Sequence, residues 1–297
     1  MRSRALLSCR VTPAVSLSSL AGLTSASAVT TRTTSPTYYV NLGDSYAEGY
    51  QPGVANNSET LHGYADQLVA VLKHHGHFLT LENFGCGGAT TGSLLHTNGC
   101  SASPLNGPSY PTTTQLAAVL SFLAAHAGHI GLVTLTIGGN DFDGCAGQPP
   151  SCLTNAMPGM QSDIQTISAD LRAAVGPKVP ILSLTYPDVI LGTWVFGASF
   201  HALAQQSVTA FKTVINPTYV AAYAGAHVSF VDATAATGAY RPLTTTVLLA
   251  PYGHIPVAVA NVCKITWFCV NHDIHPRTVG YGVLARLLAT RYLKLVP

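Results

Sequence analysis

Charge is what this 297-residue chain has least of: Asp, Glu, Lys and Arg make up 9% of it, against 47% hydrophobic residues. No cluster of Lys and Arg occurs, which argues against a nucleic-acid partner. No apolar run approaches the roughly 20 residues that a bilayer-spanning helix needs, so no stable membrane span is expected. The spacing C-x-x-C is absent, which leaves little room for a zinc ribbon. Gly85-Cys86-Gly87 begins like a dinucleotide fingerprint, but Thr90 stands where the third glycine belongs, so no cofactor is expected. G-x-S-x-G is missing as well, and with it the nucleophile elbow of that motif. His74, His75 and His77 could ligate a metal, but at the end of a helical stripe they read as a solvated helix terminus, and no metal is expected.

The N-terminal stretch has a different character from the rest. Arg2, Arg4 and Arg10 precede a modestly apolar segment, Val11 to Leu23, and then Ala26-Ser27-Ala28. Basic, apolar and small-residue regions in that order are the pattern of a secretory leader, here residues 1–28. Residues 29–36 are rich in Thr and Ser and read as a short tether, and 37–297 as one domain. The whole chain carries 14 basic and 12 acidic residues; without the three leader arginines, 11 face 12, a net charge of −1. The roughly 260 remaining residues suffice for one large core. Of seven cysteines, Cys9 falls in the leader. The other six allow 15 connectivities. They lie in three sequence-local pairs, and the simplest pairing joins neighbours: Cys86–Cys100, Cys145–Cys152 and Cys263–Cys269. An even count fits an oxidised, exported protein, so secretion is expected.

Strand-like and helix-like segments alternate along the chain. Strands are expected at Tyr38–Leu42, Phe78–Leu81, Leu132–Ile137, Val179–Tyr186 and His227–Ala233. Helical stripes are expected at His62–His75, Gln115–His126, around Ile164–Val175, at Ala202–Ala224 with a break at Pro217, and at Thr278–Leu295. Five apolar strands alternating with helices predict an α/β fold: a five-stranded parallel sheet, both faces covered, in a three-layer α/β/α sandwich. Ligand sites in such sheets lie at the carboxyl ends of the strands.

Four stretches fall at those ends: Gly43-Asp44-Ser45, the glycine-rich Asn83 to Gly92, Gly138 to Phe142, and Asn271 to Pro276. Each alone has an ordinary reading as a cap, a tight turn or a surface loop. Together they supply a hydroxyl, an imidazole, an amide and a glycine-rich turn. Those are the parts of acyl transfer: a nucleophile, a base near neutral pKa, and donors aimed at an oxyanion.

The set resembles the SGNH hydrolase, or GDSL-type esterase and lipase, family. The matching blocks are GDSY at 43–46, GGAT at 87–90, GGND at 138–141, and His275-Pro276 before the final helix. The resemblance implies Ser45 as nucleophile and His275 as base. It also implies an oxyanion hole of the Ser45 and Gly88 N–H groups and the Asn140 side chain. The local cysteine pairs are similar to those of secreted actinobacterial-type lipases and esterases of that family. The usual acid position, three residues before the histidine, holds His272, while Asp273 lies one step closer. The ring of His275 is therefore oriented either by Asp273 or by the backbone carbonyl of His272, and the carbonyl is preferred. The expected substrate is a small-molecule or lipid ester, and the expected state a monomer. A carbohydrate acetyl-esterase, or an inactive secreted binding module on the same fold, are the rival readings. Trp194, Phe196 and Phe200 are expected to pack the core or a lid rather than to wall the substrate site.

Overall fold

A computed structural model describes residues 36–52 and 60–296. The expected leader and nearly all of the expected tether lie outside the described residues.

Strand β1 (Tyr38–Gly43) runs straight into a one-turn helix, α1 (Ser45–Glu48). Helix α2 (Tyr64–His74) follows, burying Leu68 and Leu72, and then strand β2 (Thr80–Asn83). Helices α3 (Thr91–His96) and α4 (Gln115–Ala125) lead to β3 (Ile130–Thr136), which feeds the short α5 (Gly139–Phe142). The long α6 (Ser151–Val175) precedes β4 (Ile181–Leu184). The chain then coils through a 3₁₀ segment, Val189–Phe196, into α7 (His201–Ala210). A π turn at Phe211–Ile215 joins α7 to α8 (Asn216–Ala224), and β5 (Ser229–Val231) completes the sheet. Beyond it come α9 (Ala233–Ala236), the hairpin β6 (Thr246–Leu249) and β7 (Gly253–Pro256), α10 (Val257–Ile265), α11 (Phe268–Asn271) and α12 (Thr278–Leu295).

The five strands form one parallel sheet in the order β2-β1-β3-β4-β5. Helices α2 and α12 pack together as one layer, and α4, α6 and α8 as the other, giving the three-layer sandwich. The central strands are buried on both faces, and so they read as apolar runs.

Where the elements depart from expectation, a competing constraint is visible. β2 begins two residues late because Phe78 is 70% exposed; this edge strand takes its limits from pairing Tyr38 with Thr80 through Asn41 with Asn83. Pro217 does break the helix, but at the start of α8, where its missing N–H costs nothing; the π turn before it takes up the mismatch. The β6–β7 hairpin was not foreseen, since its strands are too exposed to alternate cleanly. All three neighbouring cysteine pairs are joined: Cys86–Cys100, Cys145–Cys152 and Cys263–Cys269.

A buried acid locks the segment after β4. Asp188 is fully buried; its carboxylate accepts hydrogen bonds from Leu191 N at 3.2 Å and Ser207 Oγ at 2.9 Å, tying the 3₁₀ segment to α7. Burial pushes its pKa up from 3.8 to about 7, against those hydrogen bonds. The folded chain thus holds this proton more tightly than the unfolded one. The stability linked to it is complete below the unfolded value and is lost as pH rises through about 7. Asp188→Asn is therefore expected to lose less of its thermal midpoint than wild type between about pH 5 and about pH 8, by a few degrees. Scanning calorimetry at the two pH values measures it, and parallel slopes for the two proteins would refute it.

Candidate active site

The turn after β1 is held from all sides. Gly43 sits at φ +134°, and a Cβ there would fall 1.9 Å from the Thr136 carbonyl oxygen of β3, so only glycine lets the strands converge. The buried Gln115 amide brackets it: Nε2 donates to the carbonyls of Gly43 at 2.9 Å and Phe84 at 2.8 Å, and Oε1 accepts from Gly43 N at 3.1 Å. Asn41 and Asn83 both donate to the Ala47 carbonyl, at 2.8 and 3.0 Å, which ties α1 to the ends of β1 and β2. Asp44 then caps α1, its Oδ1 accepting from Tyr46 N at 2.9 Å. Ser45 follows as the first helical residue and is 7% exposed. Because α1 is a single turn, its dipole adds little at this position.

His275 comes from the opposite end of the chain, between α11 and α12. Its Nε2 lies 2.8 Å from Ser45 Oγ. Its Nδ1 lies 2.8 Å from Asp273 Oδ1, and the same oxygen accepts from the His275 backbone N–H at 2.9 Å. The preference for the His272 carbonyl is thereby corrected. His272 takes a left-handed conformation, φ +57°, and the turn it makes brings the carboxylate one residue on beneath the ring. Burial alone would raise the pKa of Asp273, but the hydrogen bonds and charge of His275 outweigh it and hold the carboxyl below its usual range. An ionised carboxylate only accepts, so Nδ1 carries the proton and Nε2 is left to receive the one on Ser45. The Tyr50 ring packs beside the imidazole, centroids 4.2 Å apart.

Of the remaining expected residues, Asn140 lines the same cavity as Ser45, and Gly88 lines a separate one. Asn140 opens α5, and its Nδ2 donates to the Ala89 carbonyl at 2.8 Å. An amide nitrogen has two protons, so one is left for a ligand. Asp141 beside it accepts from Thr91 N at 3.0 Å and Thr91 Oγ1 at 2.6 Å, holding the α5 turn against α3. Gly88 adopts φ +76° with nothing near its absent Cβ. It faces a smaller cavity of about 510 Å³, whereas Ser45 and Asn140 line a cavity of about 910 Å³. That larger cavity is walled mainly by apolar groups, among them Phe142, Leu153, Ile190, Leu203, Phe211 and Val214. Trp194 and Phe196 stand outside it: Trp194 stacks on His201 at 3.6 Å, and Phe196 packs on Phe268 and His272.

Asp44, Tyr46, Gln115 and Tyr186 escaped the sequence reading as parts of this arrangement. Asp44 and Tyr46 were legible only as members of the GDSY block; Gln115 and Tyr186 carry no motif signal, because their partners are distant in sequence.

The family model described as GDSL-like Lipase/Acylhydrolase family matches residues 42–283. Among solved structures, phospholipase A1 from Streptomyces albidoflavus NA297 is similar, with a TM-score of 0.53 and 19% identity over 86% of this chain and 99% of that one. The lipase Lip_vut3 from a goat rumen metagenome is similar too, with a TM-score of 0.53 and 15% identity over 86% of this chain and 96% of that one. At such identities the likeness concerns the fold alone. No curated protein matches the chain in sequence.

A serine activated in this way is expected to react with a fluorophosphonate at neutral pH, with the label on Ser45 and none in His275→Ala. Asp273→Ala is expected to slow labelling by roughly 10⁴-fold, the scale for removing the acid of a triad. An unchanged rate in Asp273→Ala, measured by intact-mass spectrometry, would return the orienting role to the His272 carbonyl.

Proposed function

The chain belongs to the GDSL-like lipase/acylhydrolase family and is a carboxylic ester hydrolase, and we propose that it works through an acyl-enzyme on Ser45. The observation that carries this reading is the unbroken hydrogen-bonded line from Ser45 Oγ through His275 to Asp273, each link 2.8 Å, at the edge of a large apolar cavity.

In the first half of the reaction Ser45 Oγ attacks the ester carbonyl carbon while His275 Nε2 takes its proton. The imidazolium is matched by the Asp273 carboxylate, which stays ionised. The carbonyl oxygen, now negative, is received by donors set in advance: the Ser45 N–H, the free proton of Asn140 Nδ2, and the N–H of Gly88, whose positive φ turns the loop. His275 returns its proton to the departing alkoxide, and the alcohol leaves. Water repeats the sequence on the acyl-enzyme: His275 takes one of its protons, the hydroxide adds to the acyl carbon, and Ser45 is released as the hydroxyl with the carboxylic acid as product.

The cavity argues for the size of the acyl group. An acetyl group leaves most of about 910 Å³ of apolar-walled space empty, whereas a longer alkyl chain fills it. Burying methylenes stabilises by about 0.8 kcal/mol each, which is binding energy the site can use. The favoured substrate is therefore a fatty-acyl ester rather than a carbohydrate acetate. Export is supported by the leader-like N-terminus and by three disulfides, which form and persist in oxidising compartments. Among the described residues no helix is long and apolar enough to cross a membrane.

Hydrolysis of p-nitrophenyl esters from acetyl to palmitoyl tests both parts. Values of kcat/KM are expected to rise from acetyl into the medium chains. Ser45→Ala is expected to lose at least about 10⁴-fold throughout. Leu203→Trp, which fills the cavity, is expected to cost about 10-fold on the long esters and little on acetyl. Equal rates for wild type and Ser45→Ala would end the proposal. A maximum at acetyl, unaffected by Leu203→Trp, would restore the acetyl-esterase reading.

A further inference from the structure

We propose that Tyr186, at the end of β4, is a positioning residue for this hydrolysis: its hydroxyl fastens the Ser45 turn to the Asn140 turn. The inference rests on the Ser45 reading. The tyrosine hydroxyl has one proton to give, and it donates it to Asp44 Oδ2. It also accepts from Gly139 N at 3.0 Å. Both partners immediately precede residues of the site, Asp44 before Ser45 and Gly139 before Asn140. A Cβ on Gly139 would come within 2.9 Å of the Tyr186 ring, so the two are fitted together.

The ring extends the fastening to the histidine. It meets Tyr46 edge to face, centroids 4.9 Å apart. The Tyr46 hydroxyl in turn donates to the Ile274 carbonyl at 2.7 Å, one residue before His275. Two adjoining tyrosines thus touch the three loops that bring nucleophile, oxyanion donor and base together, and these loops are otherwise far apart in sequence.

A buried phenol needs some hydrogen-bond partner for stability alone, and a backbone carbonyl would serve. Here the acceptor is the buried Asp44 side chain, whose other oxygen caps α1; burial pushes its pKa from 3.8 up to about 7, while the Tyr186 hydroxyl and the Tyr46 N–H pull toward the ionised form. An asparagine would cap α1 as well. What the aspartate adds is a second oxygen that accepts from Tyr186, and in its ionised form that hydrogen bond is charge-assisted, stronger and more directional than a neutral one. Strength there fixes where Ser45 and Asn140 stand relative to each other. Misplacement of such groups acts on the transition state more than on ground-state binding.

Tyr186→Phe tests it. Its kcat is expected to fall by about 10- to 100-fold while KM stays within about twofold, the split for an interaction felt only in the transition state. Labelling of Ser45 by a fluorophosphonate, which needs the same tetrahedral pocket, is expected to slow in parallel. Tyr240→Phe is the control: it removes a tyrosine hydroxyl that accepts from the buried Asn216 Nδ2 at 2.9 Å, outside the residues that line the cavity. It is expected to lower the thermal midpoint and leave kcat unchanged. Asp44→Asn is expected to lose kcat as Tyr186→Phe does, and the double variant to lose little more than either, since all break one contact. Should Tyr186→Phe not fold, Asp44→Asn carries the test by the same split. Undiminished kcat in whichever of these variants is soluble, with hydrolysis still dependent on Ser45, overturns this inference alone. Hydrolysis that survives Ser45→Ala overturns the Ser45 reading and this inference with it.

Discussion

Everything at the site depends on how the chain leaves β1. Gly43 must pass against the Thr136 carbonyl so closely that no side chain fits, and the Gln115 amide then holds its N–H and C=O together. That grip settles where Asp44 begins the next helix, and so where the Ser45 hydroxyl emerges. The Cys86 N–H donates to the same Gly43 carbonyl at 2.9 Å, so the loop after β2 takes its position from this residue too. With the Ser45 turn, the proposed nucleophile, and the Gly88 loop anchored to one peptide, His275 and Asn140 have a stationary target. Catalytic donors are useful in proportion to how little they must reorganise, and an amide buried in the core is about as stationary as a protein group can be.

The layered fold was legible because it rests on periodicities that the sequence displays directly. Both-face-buried strands such as Leu132–Ile137 have to be apolar throughout, and α4 has to place Leu116, Val119 and Leu123 on one side. Of the four stretches, three do follow strands of the sheet, while the one with His275 lies between α11 and α12 and meets Ser45 at 2.8 Å from there. What was not legible obeys longer-range rules. The limits of β2 come from its partner and not from its own side chains. Whether Asp273 or the His272 carbonyl faces the imidazole turns on one backbone φ of +57°, which nothing in the letters NHDIHP declares. Gln115 and Tyr186 look like ordinary residues of a helix and a strand end, and become meaningful only through partners some 30 to 140 positions away.

The scarcity of charge throws the buried acids into relief. With only 12 acidic residues in the chain, two of them, Asp44 and Asp188, are placed where burial lifts their pKa to about 7. Both sit just past the carboxyl end of a sheet strand, and both accept a backbone N–H at the start of a helical segment. A neutral cap would do the local work at lower cost. Each carboxylate also reaches a hydroxyl on a distant element, Tyr186 for Asp44 and Ser207 for Asp188. The common thread is that each side chain joins the start of a helical segment to a hydroxyl on a distant element, and the joined pieces are those that frame the serine and the cavity.

Chemistry and selectivity are consequently carried by separable parts of the molecule. The proposed reacting groups hang from β1, β3 and the loop before α12. The cavity walls come instead from the segment after β4 and from the turn that the Cys145–Cys152 bridge closes at the head of α6. Those walls contain the Asp188 lock and the π turn at Phe211–Ile215, but no group that acts on the ester. A side chain can change at Leu203 or Ile190 without touching the bonds that hold Ser45, because both residues face the serine across the cavity. Tyr186 is a joint between wall and turn: it lines the cavity, and its hydroxyl bonds the Asp44 side chain that precedes Ser45. A change in acyl preference made farther along the wall should leave catalysis intact, whereas one made at this joint alters both together.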